Sequence, residues 1–126
     1  MGTKEQVAVV TGASQGIGRG VAEALLADGH RVALVARRRE PLEALAATHP
    51  DQALPIAADV SDPQAVDRIY EQVASQWGRV DVLFNNAGAF MASTETADVS
   101  YEDWRRVLGV NLDGAFLMAR GAFRMM

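Results

Sequence analysis

The sequence predicts an α/β protein, with a doubly wound parallel sheet built from four βα units in one domain over residues 1–126. Short apolar runs alternate with longer segments of helical spacing, and this order is typical of a parallel sheet with helices on both faces. The apolar runs are continuous, as strands buried on both faces should be. A glycine-rich loop joins the first strand to the first helix, where sheets of this class bind ligands.

The first two βα units each combine a short apolar strand with a helix. The first has a strand over residues 7–10 and a helix over residues 17–28, which Gly29 is suited to end. The second has a strand over residues 31–36 and a helix over residues 41–48, with proline in its first turn. Apolar residues at helical spacing mark the first helix: Ile17, Val21, Ala24 and Leu25.

The last two units follow the same order. A strand over residues 53–58 is weakened by Pro55, because proline cannot donate to a sheet ladder. A helix over residues 63–77 follows, then a strand over residues 80–84 and a long helix from about residue 101. Acidic residues in the first turn of this last helix favour its start there, because they complement the positive end of the helix dipole. The helix over residues 63–77 has a clear apolar face: Ala65, Val66, Ile69, Tyr70 and Val73.

Composition excludes several classes of function. The chain is 49% hydrophobic and 22% charged, which is ordinary for a globular protein long enough to bury a core. Its net charge of -4 argues against a broad nucleic-acid or anionic-membrane surface. No cysteine is present, which excludes disulfides and cysteine-based metal sites, and no metal site is predicted. No apolar run reaches about 18 residues and no signal core precedes the first strand, so we expect a cytoplasmic protein with no membrane partner.

The glycine-rich loop, TGASQGIGRG, lies between the first strand and the first helix. Glycines allow a tight strand-to-helix turn and let a pyrophosphate approach the backbone N–H groups at the helix start. The alternative is a glycine-rich turn with no ligand. The predicted diphosphate-binding residues are Gly12, Ser14, Gln15, Gly16, Ile17 and Gly18.

The end of the second strand indicates which dinucleotide would bind. An acidic residue there would bind the adenosine 2′-hydroxyl, but this chain has three arginines, residues 37–39, with Glu40 one position too late. A guanidinium suits a 2′-phosphate. The prediction is therefore NADP, with NAD less favoured, and Arg37 as the residue that selects it. The alternative is a solvated basic helix start, which some of the three arginines would be in either case.

Four motifs in the same order resemble the short-chain dehydrogenase/reductase family, which has a Rossmann fold. They are TGASQGIG, ADVSD at residues 58–62, NNAG at residues 85–88 and VNLDGAF at residues 110–116. The resemblance implies that Asp59 meets the adenine amino group and that Val60 covers the ring. It also implies that Asn86, Ala87 and Gly88 contact the cofactor.

The same resemblance implies that Asn111 is catalytic and binds a water of a proton relay through its helix backbone. Simpler roles stay open for several of these residues. Asp59 could cap the next helix, although Ser61 and Asp62 are better placed, and one of Asn85 and Asn86 is expected to be structural only. Asn111 lies on an apolar helix face, where a buried amide that kinks the helix is the alternative.

The family's reaction is hydride transfer between a nicotinamide and a carbonyl or alcohol, and it uses a serine and a Tyr-x-x-x-Lys pair. This chain has two tyrosines and one lysine, Lys4, and no such pair. Tyr101 precedes Arg105 at the same interval but comes before Asn111, which is the wrong place, and Tyr70 is predicted to be core. The resemblance therefore implies the cofactor-binding N-terminal half of the fold, a partial NADP-binding domain without its catalytic half.

Two physical consequences are expected of such a half. The fourth strand becomes a sheet edge, where Val80, Val82, Leu83 and Phe84 lose neighbours on one side. The last helix, which packs between subunits in the family, exposes an apolar face. That face comprises Val107, Leu108, Leu112, Phe116, Leu117 and Phe123. We expect marginal stability and no dehydrogenase turnover from the chain alone.

The functional prediction is an NADP-dependent oxidoreductase acting on a small carbonyl or alcohol substrate, represented by its cofactor-binding half. The complete enzyme would be a homo-oligomer by resemblance, and Phe90 and Met91 would reach towards its substrate. One alternative is a non-catalytic dinucleotide-binding module. Another is an inactive fragment, which would neither bind the coenzyme nor turn over.

Overall fold

A computed structural model describes residues 4–126. Four strands form one parallel sheet in the order β3-β2-β1-β4. They are β1 (Val7–Thr11), β2 (Arg31–Ala36), β3 (Ala53–Ala57) and β4 (Val82–Phe84). This order is that of the first half of a doubly wound dinucleotide-binding sheet, so the predicted α/β fold is confirmed.

Each of the first three strands is followed by one helix, and β4 is followed by a loop and a longer helical rod. The helices are α1 (Gly16–Ala27), α2 (Arg39–Ala46), α3 (Pro63–Trp77), α4 (Tyr101–Leu108) and α5 (Ala115–Met125). A π-helical segment, Gly109–Gly114, joins α4 to α5, and a short 3₁₀ turn, Thr96–Asp98, precedes α4. Within residues 4–126, no helix has the length and apolar character needed to cross a membrane.

The predicted bounds needed small corrections. Helix α2 spans Arg39–Ala46 rather than residues 41–48, and β4 spans Val82–Phe84 rather than residues 80–84. Strand β1 continues through Thr11, which pairs with Val35 of β2. Pro55 lies in β3 at the outer edge of the sheet, where a missing N–H costs no ladder bond.

Two apolar clusters cover the two faces of the sheet. Successive strand residues point to opposite faces, so Val9 lies in the cluster that includes α3 and α5, and Val10 lies in the cluster that includes α1 and α2. The apolar face predicted for α3 is buried as expected. In α1 the buried residues are Gly18, Ala22 and Leu26, one position beyond part of the predicted stripe, and Ile17 is exposed.

The helix ends are set by local chemistry that the sequence indicated. Asp62 caps α3 by accepting from the backbone N–H of Gln64, and Ser100 caps α4 by accepting from that of Asp103. Gly29 and Gly78 adopt positive φ values of 88° and 73°, where glycine ends α1 and α3 without Cβ strain.

Strand β4 lies at the second edge of the sheet and pairs with β1. Its three residues are half-buried, whereas Val80 is buried, so the expected loss of cover at Val80 is wrong. On the helical rod, Leu112, Phe116 and Phe123 are exposed as expected. Val107, Leu108 and Leu117 are half-buried, so the exposed apolar face is smaller than expected.

Candidate functional site

A cavity of about 380 Å³ opens at the carboxyl ends of the strands. Sheets of this class bind ligands there because their connecting loops diverge on either side. The residues that line it come from the glycine-rich loop, the ends of β2 and β3, and the loop after β4. They are Gly12, Ser14, Gln15, Gly16, Ile17, Val35, Ala36, Arg37, Ala58, Asp59, Val60, Asn86, Ala87, Gly88, Ala89, Phe90 and Val110.

The structure brings together eleven of the twelve residues predicted to bind the cofactor, as the lining of that cavity shows. Gly18 lies outside the lining and is buried beneath the loop. A Cβ on Gly18 would overlap the carbonyl oxygen of Gly12 and lie 2.7 Å from Asn86 Nδ2. Gly18 therefore permits a close approach between α1, the loop and Asn86.

The glycine-rich loop leaves its wall open to a ligand. Gly16 has a φ of 59° and nothing lies within 4 Å of the position its Cβ would occupy. Gln15, the residue that precedes α1, provides no side-chain cap, and the first turn of α1 has no acidic residue. The backbone N–H groups at this helix start are thus left for an anion, unlike those at the capped starts of α3 and α4.

Thr11 holds the loop after β4 against the end of β1. Its side chain is fully buried, and its Oγ1 accepts hydrogen bonds of 2.9 Å from the backbone N–H groups of Asn86 and Ala87. Sequence reasoning did not identify this role. The available signal was a hydroxyl residue at the end of an apolar run, where a buried hydroxyl must find a partner.

The two neighbouring asparagines have different positions. Asn85 donates from Nδ2 to the carbonyl of Ala115 at 2.8 Å and does not line the cavity, whereas Asn86 does. The side chain of Asn85 ties the end of β4 to the start of α5. Asn85 is thus the structural member of the pair.

The segment after β3 presents an exposed carboxylate and a buried side chain. Asp59 Oδ1 accepts hydrogen bonds from the backbone N–H and the hydroxyl of Ser61, at 3.0 and 2.7 Å. Val60 is buried against Gly114 of the π-helical segment. A Cβ added to Gly114 would lie 2.7 Å from Val60 Cγ2. Asp59 does not cap α3, because Asp62 does.

The arginines after β2 differ in their surroundings. Arg37 lines the main cavity, and with Arg38 it also lines a smaller adjoining cleft of about 280 Å³ that includes Ser14 and Gln15. Arg39 points along α2 and lies 3.8 Å from Glu43. Within residues 4–126, neither Arg37 nor Arg38 has a carboxylate within ion-pair distance. Two guanidinium groups therefore remain for an anion beside the glycine-rich loop.

Asn111 lies in the π-helical segment and does not line the cavity. Its Oδ1 accepts from the backbone N–H of Ala89 at 2.7 Å, and its Nδ2 donates to the carbonyl of Ala89 at 3.0 Å. The alternative interpretation of Asn111 as a buried core amide is wrong, because Asn111 is exposed and finds its partners on a surface loop. It holds the loop after β4 in place, together with a hydrogen bond from Arg106 Nη2 to the carbonyl of Phe90 at 3.2 Å.

Neither tyrosine faces the cavity. Tyr70 is buried, and its hydroxyl donates to the carbonyl of Met118 at 2.6 Å, so the expectation of a core residue is confirmed. Burial raises the pKa of Tyr70, which keeps the phenol neutral. Tyr101 is exposed at the start of α4. In the part of the chain that the structure describes, no cluster of three His, Asp or Glu side chains could hold a metal ion.

The sequence matches the family described as short chain dehydrogenase over residues 6–126. It is similar to meso-2,3-butanediol dehydrogenase of Serratia marcescens, with 38% identity over 118 residues. That alignment covers 93% of this chain and 47% of that protein.

Solved structures show the same relationship. The structure of 3-ketoacyl-(acyl-carrier-protein) reductase from Brucella melitensis, complexed with NADH, is similar with a TM-score of 0.93 and 36% identity, and the match covers 98% of this chain and 51% of that one. L-sorbose reductase from Gluconobacter frateurii, complexed with NADPH and L-sorbose, is similar with a TM-score of 0.89 and 35% identity, covering 100% and 49% of the two chains. This chain spans about half the length of each of these three proteins. On the match over residues 6–126 and these likenesses, the chain belongs to the short-chain dehydrogenase family.

Proposed function

We propose that the cavity at the carboxyl ends of the strands binds NADP(H), and that the whole protein is an oxidoreductase acting on a carbonyl or alcohol. The observation that carries the proposal is the shared lining of one cavity by the glycine-rich loop, Asp59 and the loop after β4. A bound nicotinamide would supply the hydride chemistry. The chain's own residues would bind the coenzyme, orient it and leave one face of it open.

The diphosphate would lie at the start of α1. Support comes from the absence of a side-chain cap at Gln15 and from the open space beside Gly16. Backbone N–H groups at a helix start favour an anion by their partial positive charge. Ser14 and Gln15 line the same wall and would add side-chain donors.

The choice of the phosphorylated coenzyme rests on the arginines after β2. Arg37 and Arg38 border the cleft beside Ser14 and Gln15, and both are exposed. A guanidinium makes paired hydrogen bonds to a phosphate, whereas it gains little from a neutral ribose hydroxyl. We propose Arg37 as the main 2′-phosphate ligand, with Arg38 as a second donor. Among the similar structures, the L-sorbose reductase structure contains NADPH and the ketoacyl reductase structure contains NADH, so these two likenesses do not favour one coenzyme over the other.

Asn86, Ala87 and Gly88 would lie along the nicotinamide half of the coenzyme, with Phe90 at the mouth of the cavity. The side chain of Asn111 is committed to Ala89. A part for Asn111 in a proton relay must therefore come from its backbone carbonyl. The π-helical segment favours this, because such turns widen the helix and frequently occur at functional sites.

Calorimetric titration of the chain with NADPH and NADH tests the proposal. We expect the chain to bind NADPH more tightly than NADH. Arg37→Ala should lower the affinity for NADPH by about tenfold or more and should change the affinity for NADH little. Arg39→Ala is the matched control, since Arg39 lies beside Glu43 on α2 and outside both cavities. Absence of binding of either coenzyme to folded chain would refute the proposal, and tighter NADH binding would remove the 2′-phosphate part.

A non-catalytic dinucleotide-binding module is the second candidate function. It is favoured by the burial of Tyr70 and by the position of Tyr101 away from the cavity, so that no tyrosine of residues 4–126 lines it. Coenzyme binding without reduction of any ketone or aldehyde tested would support this candidate for the chain itself.

A further inference from the structure

The Asp59 carboxylate is held on one of its two oxygens by a single neighbour. Oδ1 accepts the backbone N–H of Ser61 at 3.0 Å and the hydroxyl of Ser61 at 2.7 Å. Oδ2 has no hydrogen-bond partner among residues 4–126, and Asp59 lines the cavity. The two donors therefore fix the rotation of an otherwise exposed carboxylate and leave one oxygen for a ligand.

The turn that carries Ser61 packs against the π-helical segment. A Cβ on Gly109 would lie 3.5 Å from Ser61 Cβ, which places the start of the π-helical segment in contact with this side chain. Val60 is buried against Gly114 at the other end of the same segment. The turn over residues 59–61 thus contacts both ends of the π-helical segment, which supports the position from which Ser61 donates to Asp59.

A carboxylate with one free oxygen distinguishes ligands by their donors. An ionised carboxylate only accepts hydrogen bonds, so Oδ2 favours a group that donates. The exocyclic amino group of adenine donates, whereas hypoxanthine carries a carbonyl oxygen at the same ring position. The geometry would therefore favour an adenine coenzyme over its hypoxanthine analogue, provided that the carboxylate keeps its orientation.

We propose that Ser61 is a positioning residue: through its hydroxyl it orients Asp59 so that Oδ2 selects the adenine amino group of the coenzyme. This inference rests on the proposed binding of NADP(H) in the cavity. Ser61 acts through Asp59 and does not itself line the cavity. Loss of the hydroxyl leaves the backbone N–H as the remaining donor, so the carboxylate gains rotational freedom without losing its charge.

The test compares the binding of NADPH and of reduced nicotinamide hypoxanthine dinucleotide phosphate by calorimetry on the chain. We expect the wild type to prefer NADPH by about tenfold or more, as for a hydrogen bond to a charged group. Ser61→Ala should lower that preference by about threefold or more, mainly because its affinity for NADPH falls. Ser61→Thr should keep the preference, because threonine retains the hydroxyl. Ser75→Ala, at an exposed position of α3, is the matched control.

Thermal unfolding of each variant shows whether the fold is retained. If Ser61→Ala is less stable than the wild type, Ser61→Thr supplies a folded comparison. An unchanged preference in Ser61→Ala, or an equal loss for both coenzymes, would overturn the role of Ser61 while leaving NADP(H) binding intact. Failure of the wild type to bind either coenzyme would overturn the proposed function and this inference with it.

Discussion

The hydroxyl oxygen of Thr11 accepts hydrogen bonds of 2.9 Å from the backbone N–H groups of both Asn86 and Ala87. Thr11 is the last residue of β1, and its side chain is fully buried. One side chain therefore satisfies two amide donors at the start of the loop that lines the cavity opposite the glycine-rich turn. The position of that loop depends on β1 as well as on β4.

Replacement of Thr11 by valine should destabilise the chain and weaken coenzyme binding. Valine has nearly the same shape but leaves the N–H groups of Asn86 and Ala87 without their acceptor. A fully buried donor without a partner costs about 1–3 kcal/mol, and we expect a loss towards the lower end because Asn86 and Ala87 are half-buried. Urea unfolding would measure the loss, and calorimetry with NADPH would measure the binding. Thr11→Ser keeps the acceptor and is the control; a Thr11→Val variant as stable as the wild type would show that these bonds contribute nothing.

Gly18→Ala should destabilise the chain, whereas Gly20→Ala should not. A Cβ on Gly18 would overlap the Gly12 carbonyl oxygen, and overpacking of this kind costs about 1–3 kcal/mol. Nothing lies within 4 Å of the Cβ position at Gly20, where alanine should stabilise α1 by about 0.5–1 kcal/mol. Both glycines lie in α1, so thermal or urea unfolding of the pair separates close packing from helix propensity. Equal effects at both positions would contradict this account of Gly18.

Tyr70→Phe should lower stability at neutral pH and reduce the loss of stability in alkali. The Tyr70 hydroxyl donates to the Met118 carbonyl and joins α3 to α5, a bond worth about 1 kcal/mol. Burial raises the pKa of Tyr70 above its usual value of about 10. The unfolded phenol therefore ionises first, and the stability that neutral Tyr70 provides is full below about pH 10 and declines as pH rises further.

The measurement for Tyr70 is urea unfolding at pH 7 and at pH 11. The Tyr70→Phe variant should lose less stability between these two pH values than the wild type. Tyr101→Phe removes a hydroxyl from an exposed ring and should behave as the wild type. The same alkaline loss in Tyr70→Phe as in the wild type would argue against the buried phenol as its source.

Asp81→Asn should remove part of the acid sensitivity of the fold. The hydrogen bond from Arg79 and the hydrogen bond from the backbone N–H of Val7 to Oδ2 hold the pKa of Asp81 below its usual value. The unfolded carboxyl titrates near about 3.9, so the stabilisation is present above that pH and is lost as pH falls through the lowered pKa of the folded state.

Urea unfolding of wild type and Asp81→Asn at pH 7 and pH 3 measures this effect. The variant should be less stable at pH 7 by up to about 1 kcal/mol, because solvent screens the pair with the exposed Arg79, and it should lose less further stability at pH 3. Asp67→Asn, on the exposed side of α3, is the control and should follow the wild type at both pH values. An Asp81→Asn variant with the wild-type acid sensitivity would exclude Asp81 as a contributor.

Much of the candidate site was predictable because its residues follow apolar strands at short spacing. The carboxyl ends of parallel strands meet at one edge of the sheet, so Gly12, Arg37, Asp59 and Asn86 had to lie close together once the strands were recognised. The loop glycines were identified in the same way, since their spacing combines with a strand before them and a helix after them.

Other residues depended on contacts that no local pattern indicates. Thr11 looked like the end of a strand, and its role appears only from the position of Asn86, 75 residues later. The apolar neighbours of Asn111 suggested a buried amide as the alternative to a catalytic role, but in the π-helical segment Asn111 is exposed and bonds to Ala89. Arg38 could not be separated from Arg39 until the cleft beside Ser14 was seen.

The sequence by itself determined the order of strands and helices, the helix caps and the carboxyl edge as the place of the site, because apolar periodicity and glycine, serine and aspartate chemistry act over a few residues. The tertiary structure alone decided which face of α1 is buried, where the helical rod widens around Asn111, and which oxygen of Asp59 stays free. Those features arise where segments far apart in the chain come into contact and their polar groups form hydrogen bonds. Local sequence spacing does not indicate which distant residues will meet.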